Sequence, residues 1–246
     1  MDALTIAAAS GLRSRMESLD LLANNIANSA TSGYKRDQEF YGLFSADVAS
    51  GAGDGSPSTL PVIERQWTDF SQGTLQATGN SMDVAIVGSG FLVVKGPSGP
   101  LYTRNGNLQV LASGQLATAD GYSLQTAEGN PIQVSSNKPI EISTDGTVTQ
   151  DGQPLGQLQV VDFPSTASLT KMGNTCFRNM DPKNAPAPAA NVEVAQGKIE
   201  GSNVPVADAA MRLVGVMRQF EMLQKAIGVS SDMDTKSIQE VARVTT

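Results

Sequence analysis

The chain contains no histidine and a single cysteine, Cys176. The first absence removes the side chain that most often acts as a general base near neutral pH, and the commonest metal-ligating ring. The second removes internal disulfides and thiolate clusters. Zinc and haem sites, Cys-His proteases and Ser-His-Asp hydrolases are excluded together. Aromatic residues make up only 5% of the 246 residues, and charged residues 17%, where an ordinary soluble domain has about 25%. Acids outnumber cations, 24 to 17, for a net charge of −7. A phosphate-backbone binder needs a basic face, so nucleic acid is not an expected partner. No apolar run approaches the roughly 18 residues of a membrane span. The start, Met1-Asp2-Ala3-Leu4, is acidic where a cleavable signal peptide is basic. That pattern suits a chain that stays in the cytoplasm or leaves it without cleavage.

What is present divides into three regions. Over residues 3–30, apolar positions recur at Leu12, Met16, Leu19, Ala23, Ile26 and Ala30, with Leu22 widening the stripe. Steps of four and three are the spacing of a helix that buries a narrow seam. Thr31-Ser32-Gly33 stops it, Gly33 being able to take the left-handed C-terminal conformation. From Asn203, a candidate cap, a second helical pattern runs through Val206, Ala210, Leu213, Met217, Phe220, Leu223 and Ile227, and weakens at Gly228–Ser231. Charges after Val204 balance, so the negative charge belongs mainly to the middle.

That middle reads as β. Short apolar runs (Val84–Val87, Phe91–Lys95, Leu101–Arg104, Leu108–Leu111, Ser123–Thr126, Ile140–Ser143 and Leu158–Phe163) alternate with Asn105-Gly106, Asp120-Gly121, Asp145-Gly146 and Asp151-Gly152. Such dipeptides favour tight hairpins, and short strands without intervening helices indicate an antiparallel barrel or sandwich. Residues 45–58 and 181–191 read as exposed connections.

The possible chemical motifs are thin. Gly88-Ser89-Gly90 lacks the third glycine of a dinucleotide loop and precedes a strand, not a helix. Asp145–Asp151 places oxygens at alternate positions, but a calcium loop needs more carboxylates and a Glu where Gly156 stands. Asp83 and Asp120 are the available acid pair for glycoside chemistry, with nothing in the sequence to bring them together. Cys176 reads as a small, half-buried residue. No cofactor and no metal are therefore expected. The methionines concentrate in the terminal segments (Met16, Met211, Met217, Met222, Met233), as core within the chain or between chains. Asn24, Asn25 and Asn28 are poor helix formers, which leaves a solvated face or interchain hydrogen bonds as readings.

Three stretches resemble the bacterial flagellar rod and hook family. They are Leu19–Arg36, with its Asn24-Asn25-Ile26-Ala27-Asn28 run and its Gly33-Tyr34-Lys35 exit; Asn80–Phe91; and Tyr102-Thr-Arg-Asn-Gly-Asn-Leu108, continuing through Gly114–Thr118 and Asp120-Gly-Tyr122. Glu200-Gly-Ser-Asn-Val204 and the closing helix are similar to the family's C-terminal segment. Arg218-Gln-Phe-Glu-Met222 looks most like the proximal-rod member, although Ser89 and Leu108 depart from common family residues.

The resemblance implies an α+β fold: long N- and C-terminal helices pairing as a coiled-coil inner domain, around a central antiparallel β domain. The expected boundaries are 1–35 for the N-terminal helix, 36–75 for an extended linker region, 76–185 for the β domain, 186–202 for a return linker and 203–246 for the C-terminal helix. It implies a non-enzymatic subunit of the basal-body rod, crossing the periplasm, that polymerises with itself and other rod subunits. It also implies passage through the flagellar export apparatus without a cleaved signal. The assembly positions expected are Leu12, Met16, Leu19, Leu22 and Ile26 at one end, and Leu213, Met217, Phe220, Leu223 and Ile227 at the other. The alternatives are a distal-rod or hook subunit and, in another class, a carbohydrate-binding or carbohydrate-processing β protein, which the scarcity of aromatics opposes.

Overall fold

In the computed structural model, which describes residues 3–46, 58–135, 138–173, 175–190 and 192–244, the chain forms two units from interleaved segments. Unit 1 comprises Met1–Ala27, Asp37–Trp67 and Pro205–Thr246; unit 2 comprises Asn28–Arg36 and Thr68–Val204. Most of the 45–58 connection lies outside the described residues.

Unit 1 holds one helix from each end of the chain, α1 (Ala3–Ala27) and α2 (Val206–Val244), and a two-stranded ribbon of β1 (Asp37–Ala46) and β2 (Ser58–Thr68). The α+β class holds; the long coiled-coil pairing does not. α1 has 25 residues and α2 has 39, and the face that α1 buries is not the apolar one. Its buried positions are Gly11, Ser14, Ser18, Leu22 and Asn25. Leu12, Leu19 and Ile26 are half-buried, and Met16, placed at the heart of the expected seam, is 55% exposed.

The physical reason lies in what covers α1. Gly11 faces Leu223 of α2, whose Cδ1 would lie 3.4 Å from an added Cβ, an ordinary packing distance. Ser18 donates its hydroxyl to the Glu39 carboxylate on β1. Asn25 pairs with the Asp37 backbone in both directions, Nδ2 to the carbonyl at 2.8 Å and Oδ1 from the N–H at 3.0 Å. Polar side chains with partners on the same chain thus replace the heptad leucines as the inner face. Asn25 is neither solvated nor free for another chain. Asn28 is also buried, and its Oδ1 accepts from the Thr31 hydroxyl. Asn24 lies on the exposed side of α1.

α2 runs through Gly228–Ser231 without a break. Its inner stripe is Ala209, Leu213, Val216, Phe220, Leu223 and Ile227, of which only Ala209 is fully buried. Met217, expected in that stripe, is 48% exposed, and Val216 occupies the inward position.

Unit 2 is antiparallel β throughout. Its largest sheet has nine strands, and its central strand, Phe91–Gly96, pairs with Gly99–Thr103, Ser123–Leu124 and Val160–Asp162. A three-stranded sheet contains Ile140–Ile142, Thr147–Gln150 and Gln153–Gln157. Two small pairings close the chain on itself: Val84–Val87 with Glu193–Gln196, and Leu75–Ala77 with Lys198–Glu200. The period-2 alternation of the central strand serves two cores. Leu92 and Val94 enter an aliphatic cluster with Val84, Ile86 and Leu101. Phe91 and Val93 enter an aromatic one with Tyr102, Phe163 and Phe177, where ring centroids lie 4.8 to 6.1 Å apart at steep angles. The few aromatics of the chain are concentrated where edge-to-face packing adds to area burial.

Asn105-Gly106 is not the hairpin turn its composition suggests, because the strands on either side of it do not pair. Glycine is needed there for a close approach. A Cβ on Gly106 would lie 1.6 Å from the Val84 carbonyl oxygen, whose own N–H donates to Gly106 O.

Candidate functional site

The Gly33-Tyr34-Lys35 exit from α1 leads into the most deeply buried charge cluster of unit 2. Lys35 is 1% exposed and Glu200 0%. Lys35 Nζ donates to Glu200 Oε1 at 2.5 Å and to the Ser71 carbonyl at 2.7 Å. Arg104 donates from one terminal nitrogen to Glu200 Oε2 at 3.1 Å and from the other to the Gly88 carbonyl at 2.7 Å. The Gly73 N–H completes the set at Glu200 Oε1, 2.8 Å away. The Arg104 guanidinium also lies 5.4 Å from the centre of the Phe91 ring. One carboxylate thus serves two cations and a backbone amide.

Burial pushes the Lys35 ammonium below the ordinary lysine range. Glu200 opposes that shift and Arg104 adds to it. An isolated buried charge is very costly, so the cluster persists only as a set. Both Glu200 oxygens are engaged and the side chain is fully buried, so its chemistry is cohesion.

The backbone around the cluster is equally fixed. Gly33 N donates to Glu200 O at 2.7 Å, and Gly33 has φ 70°. A Cβ there would meet Asn105 N at 2.3 Å, so both its conformation and its space require glycine. Tyr34 is buried, with Lys171 Nζ 4.1 Å from its ring centre. Asn203 does not cap α2, which starts at Val206. Instead it accepts from Arg36 N at 2.8 Å and donates to Asp69 O at 2.8 Å and to Ser71 O at 3.1 Å. Within unit 2, the segments next to its chain crossings at 28–36, 68–73 and 200–204 are therefore stitched together by Lys35, Glu200 and Asn203.

Asp69 adds a titratable stitch. Its carboxylate accepts from Ser71 N at 2.9 Å and from Arg36 Nε at 3.0 Å. Partial burial raises its pKa, but the Ser71 hydrogen bonds and Arg36 outweigh that and hold it below the usual aspartate value. A depressed acid stabilises the fold above its unfolded pKa, and that contribution drains as the pH falls through the folded value. Asp69→Asn should therefore lose stability near neutral pH and show a shallower loss than the parent between about pH 5 and about pH 2. Thermal melts across that range measure it; parallel curves would contradict the assignment.

The other sequence candidates are spent on local structure. Ser89 donates to Asp162 at 2.7 Å. Asp145 accepts from the Thr147 hydroxyl and N–H, which lower its pKa, and Asp151 pairs with Lys138. Asp120 accepts the Thr175 hydroxyl, and Asp83 sits in an isolated bridge with Asn107. Among the described residues, no group of three or more His, Cys, Asp or Glu is placed to hold a metal ion. Cys176 is buried, and burial pushes its thiol upward.

The second feature of note is in unit 1. Met211, Met222 and Met233 are 67%, 61% and 63% exposed, and they recur every 11 residues. Eleven residues are about three turns, so the three lie on one line, about 16 Å apart. That line is on the opposite side of α2 from Leu213 and Phe220.

A cohesive buried cluster in one unit and a line of exposed methionines in the other suit a structural protein. The comparisons supply the particular kind. Residues 85–150 match the family model described as the flagellar hook protein FlgE/F/G D1 domain, and residues 195–240 match the flagellar basal body rod FlgEFG protein C-terminal model. The flagellar basal-body rod protein FlgG of Agrobacterium fabrum is 32% identical, over 95% of this chain and 97% of that protein. FlgG of Buchnera aphidicola is 31% identical, over 93% and 96%. The rod protein FlgF of Mesorhizobium japonicum is 30% identical, over 89% and 91%. The chain belongs to the flagellar hook and basal-body rod family. It is a structural subunit of the rod and resides in the flagellar basal body. None of its described helices is long and apolar enough to cross a membrane.

The matched segments contain Arg104 and Glu200, whose pairing sequence reading missed. Both stood inside stretches resembling the family. Nothing in their spacing, 96 residues apart, signals that they meet.

Proposed function

We propose that the chain polymerises with copies of itself and with other rod subunits into the torque-transmitting shaft, in its proximal part, and that it has no catalytic step. The observation that carries this reading is the open line of Met211, Met222 and Met233. Adaptable thioethers on an exposed helix face suit non-identical neighbours, and contacts that are not self-complementary build open helical assemblies. Met16 and Met217 also stand exposed, and with Leu12, Leu19, Leu22, Ile26, Leu213, Phe220, Leu223 and Ile227 they remain the assembly positions of this reading. Met16 and Met217 touch neighbours directly, and the others support the two helices from behind. The proximal position rests on the resemblance of Arg218–Met222. Delivery through the flagellar export apparatus rests on the resemblance to the rod and hook family. The test is to delete the chain and image basal bodies. Loss of the shaft beyond its base is expected, and a complete, rotating shaft would overturn the reading.

A further inference from the structure

The methionine line has a second property, which follows from its sulfur. Oxidation of a thioether tracks its exposure, and the product sulfoxide is polar, chiral and enzymatically reversible. We infer that Met211, Met222 and Met233 form a reversible oxidation site, and that their sulfoxides block the use of this face in assembly. The inference rests on the assembly reading above.

The oxidant is a peroxide. A sulfur lone pair attacks one peroxide oxygen, the O–O bond breaks as the S–O bond forms, and the second oxygen leaves as water with both protons. Sulfur loses two electrons and the peroxide gains them. The new oxygen is a strong acceptor on a line where Val229 is exposed and where Arg218, Lys225 and Lys236 stand one turn from Met222 or Met233. In a contact that packs against the thioethers, the polar and bulkier sulfoxide no longer fits the apolar surface it met before. The chain carries its own internal comparisons. Met82 is half-buried against the aliphatic core of unit 2, and Met180 is 63% exposed but also belongs to unit 2.

The experiment uses the full chain treated with graded hydrogen peroxide. Peptide mass spectrometry reads oxygen addition at each methionine, and sedimentation reads polymer. Met211, Met222 and Met233 should gain oxygen ahead of Met82, with loss of pelleted polymer in step. Methionine sulfoxide reductases should restore the polymer. In a chain already carrying Met16→Leu and Met217→Leu, adding the triple leucine variant (Met211→Leu, Met222→Leu and Met233→Leu) should restore polymer after the same dose, whereas adding Met180→Leu should give no protection. The inference is overturned if Met82 oxidises as fast as the three, if the oxidised chain polymerises like the untreated one, or if the triple leucine variant is inhibited equally. Untreated chain that never polymerises contradicts the assembly reading instead, and the oxidation map alone then decides whether the site exists.

Discussion

Glu200→Gln will destabilise unit 2 by about 3–5 kcal/mol, the range found when one partner of a buried ion pair is removed. The side chain is nearly isosteric, so the loss is electrostatic. Lys35 and Arg104 stay buried, with no carboxylate between them. Two like charges then share a dry pocket with no anion, solvated by the Ser71 and Gly88 carbonyls, the neutral amide oxygen at position 200 and the Phe91 ring. For a unit of this size the melting temperature should fall by on the order of 10 °C. Without Glu200 the Lys35 pKa is depressed further, because the group that opposed its fall is gone. The unfolded lysine then holds its proton to higher pH than the folded one, so the penalty shrinks as pH rises toward the ordinary lysine range. Lys35→Met combined with Glu200→Gln should recover part of the loss. Differential scanning calorimetry of the three proteins decides it. A Glu200→Gln melt equal to that of the parent would mean the cluster holds nothing together.

Met222→Asp will act in the opposite place. The residue is 61% exposed, so the isolated chain should fold, and the unit 2 melt should be unchanged. In an assembled shaft the carboxylate would replace an apolar contact with a neighbour, and Arg218 and Lys225 one turn away would offset only part of its desolvation, leaving a cost of several kcal/mol per contact. Every 1.4 kcal/mol is about tenfold in affinity, so each contact weakens at least about a hundredfold. The penalty repeats at every subunit. Cells carrying the variant should build no complete rod and should not swim, although the protein is made. Gln153→Asp, in an exposed strand start of unit 2, is the control and should leave swimming intact. Normal swimming by the Met222→Asp strain would remove the outer line of α2 from assembly.

The strands of unit 2 were legible because their signal is local. Val84–Val87 and Phe91–Gly96 are short apolar runs rich in β-branched residues, and the turn residues that bound them mark them without reference to the rest of the chain. Both terminal helices were legible for the same reason. The inner face of α1 was not, and that of α2, from Leu213 on, was legible except at one position. Periodicity assigns the apolar stripe to the inside, but on α1 the side chains that find partners are Ser18 and Asn25, and on α2 the stripe shifts from Met217 to Val216. Which face is buried depends on what packs against the helix, and that is a long-range fact. Asn203 shows the same limit. Its position before Pro205 suits a cap, yet its amide is taken by Arg36, Asp69 and Ser71, which are more than 130 residues away in sequence. The Lys35–Glu200–Arg104 cluster lies beyond any local rule. It exists only after the two ends of unit 2 meet, and only the family resemblance singled out the stretches that hold its members.

High-resolution imaging of intact basal bodies, with this subunit resolved in the shaft, tests the central claim most directly. Met211, Met222 and Met233 should lie in van der Waals contact with side chains of neighbouring subunits along the whole line, while Glu200 remains bonded to Lys35 and Arg104 inside each copy. A shaft in which that line faces open solvent, with subunits joined only through unit 2, would contradict it.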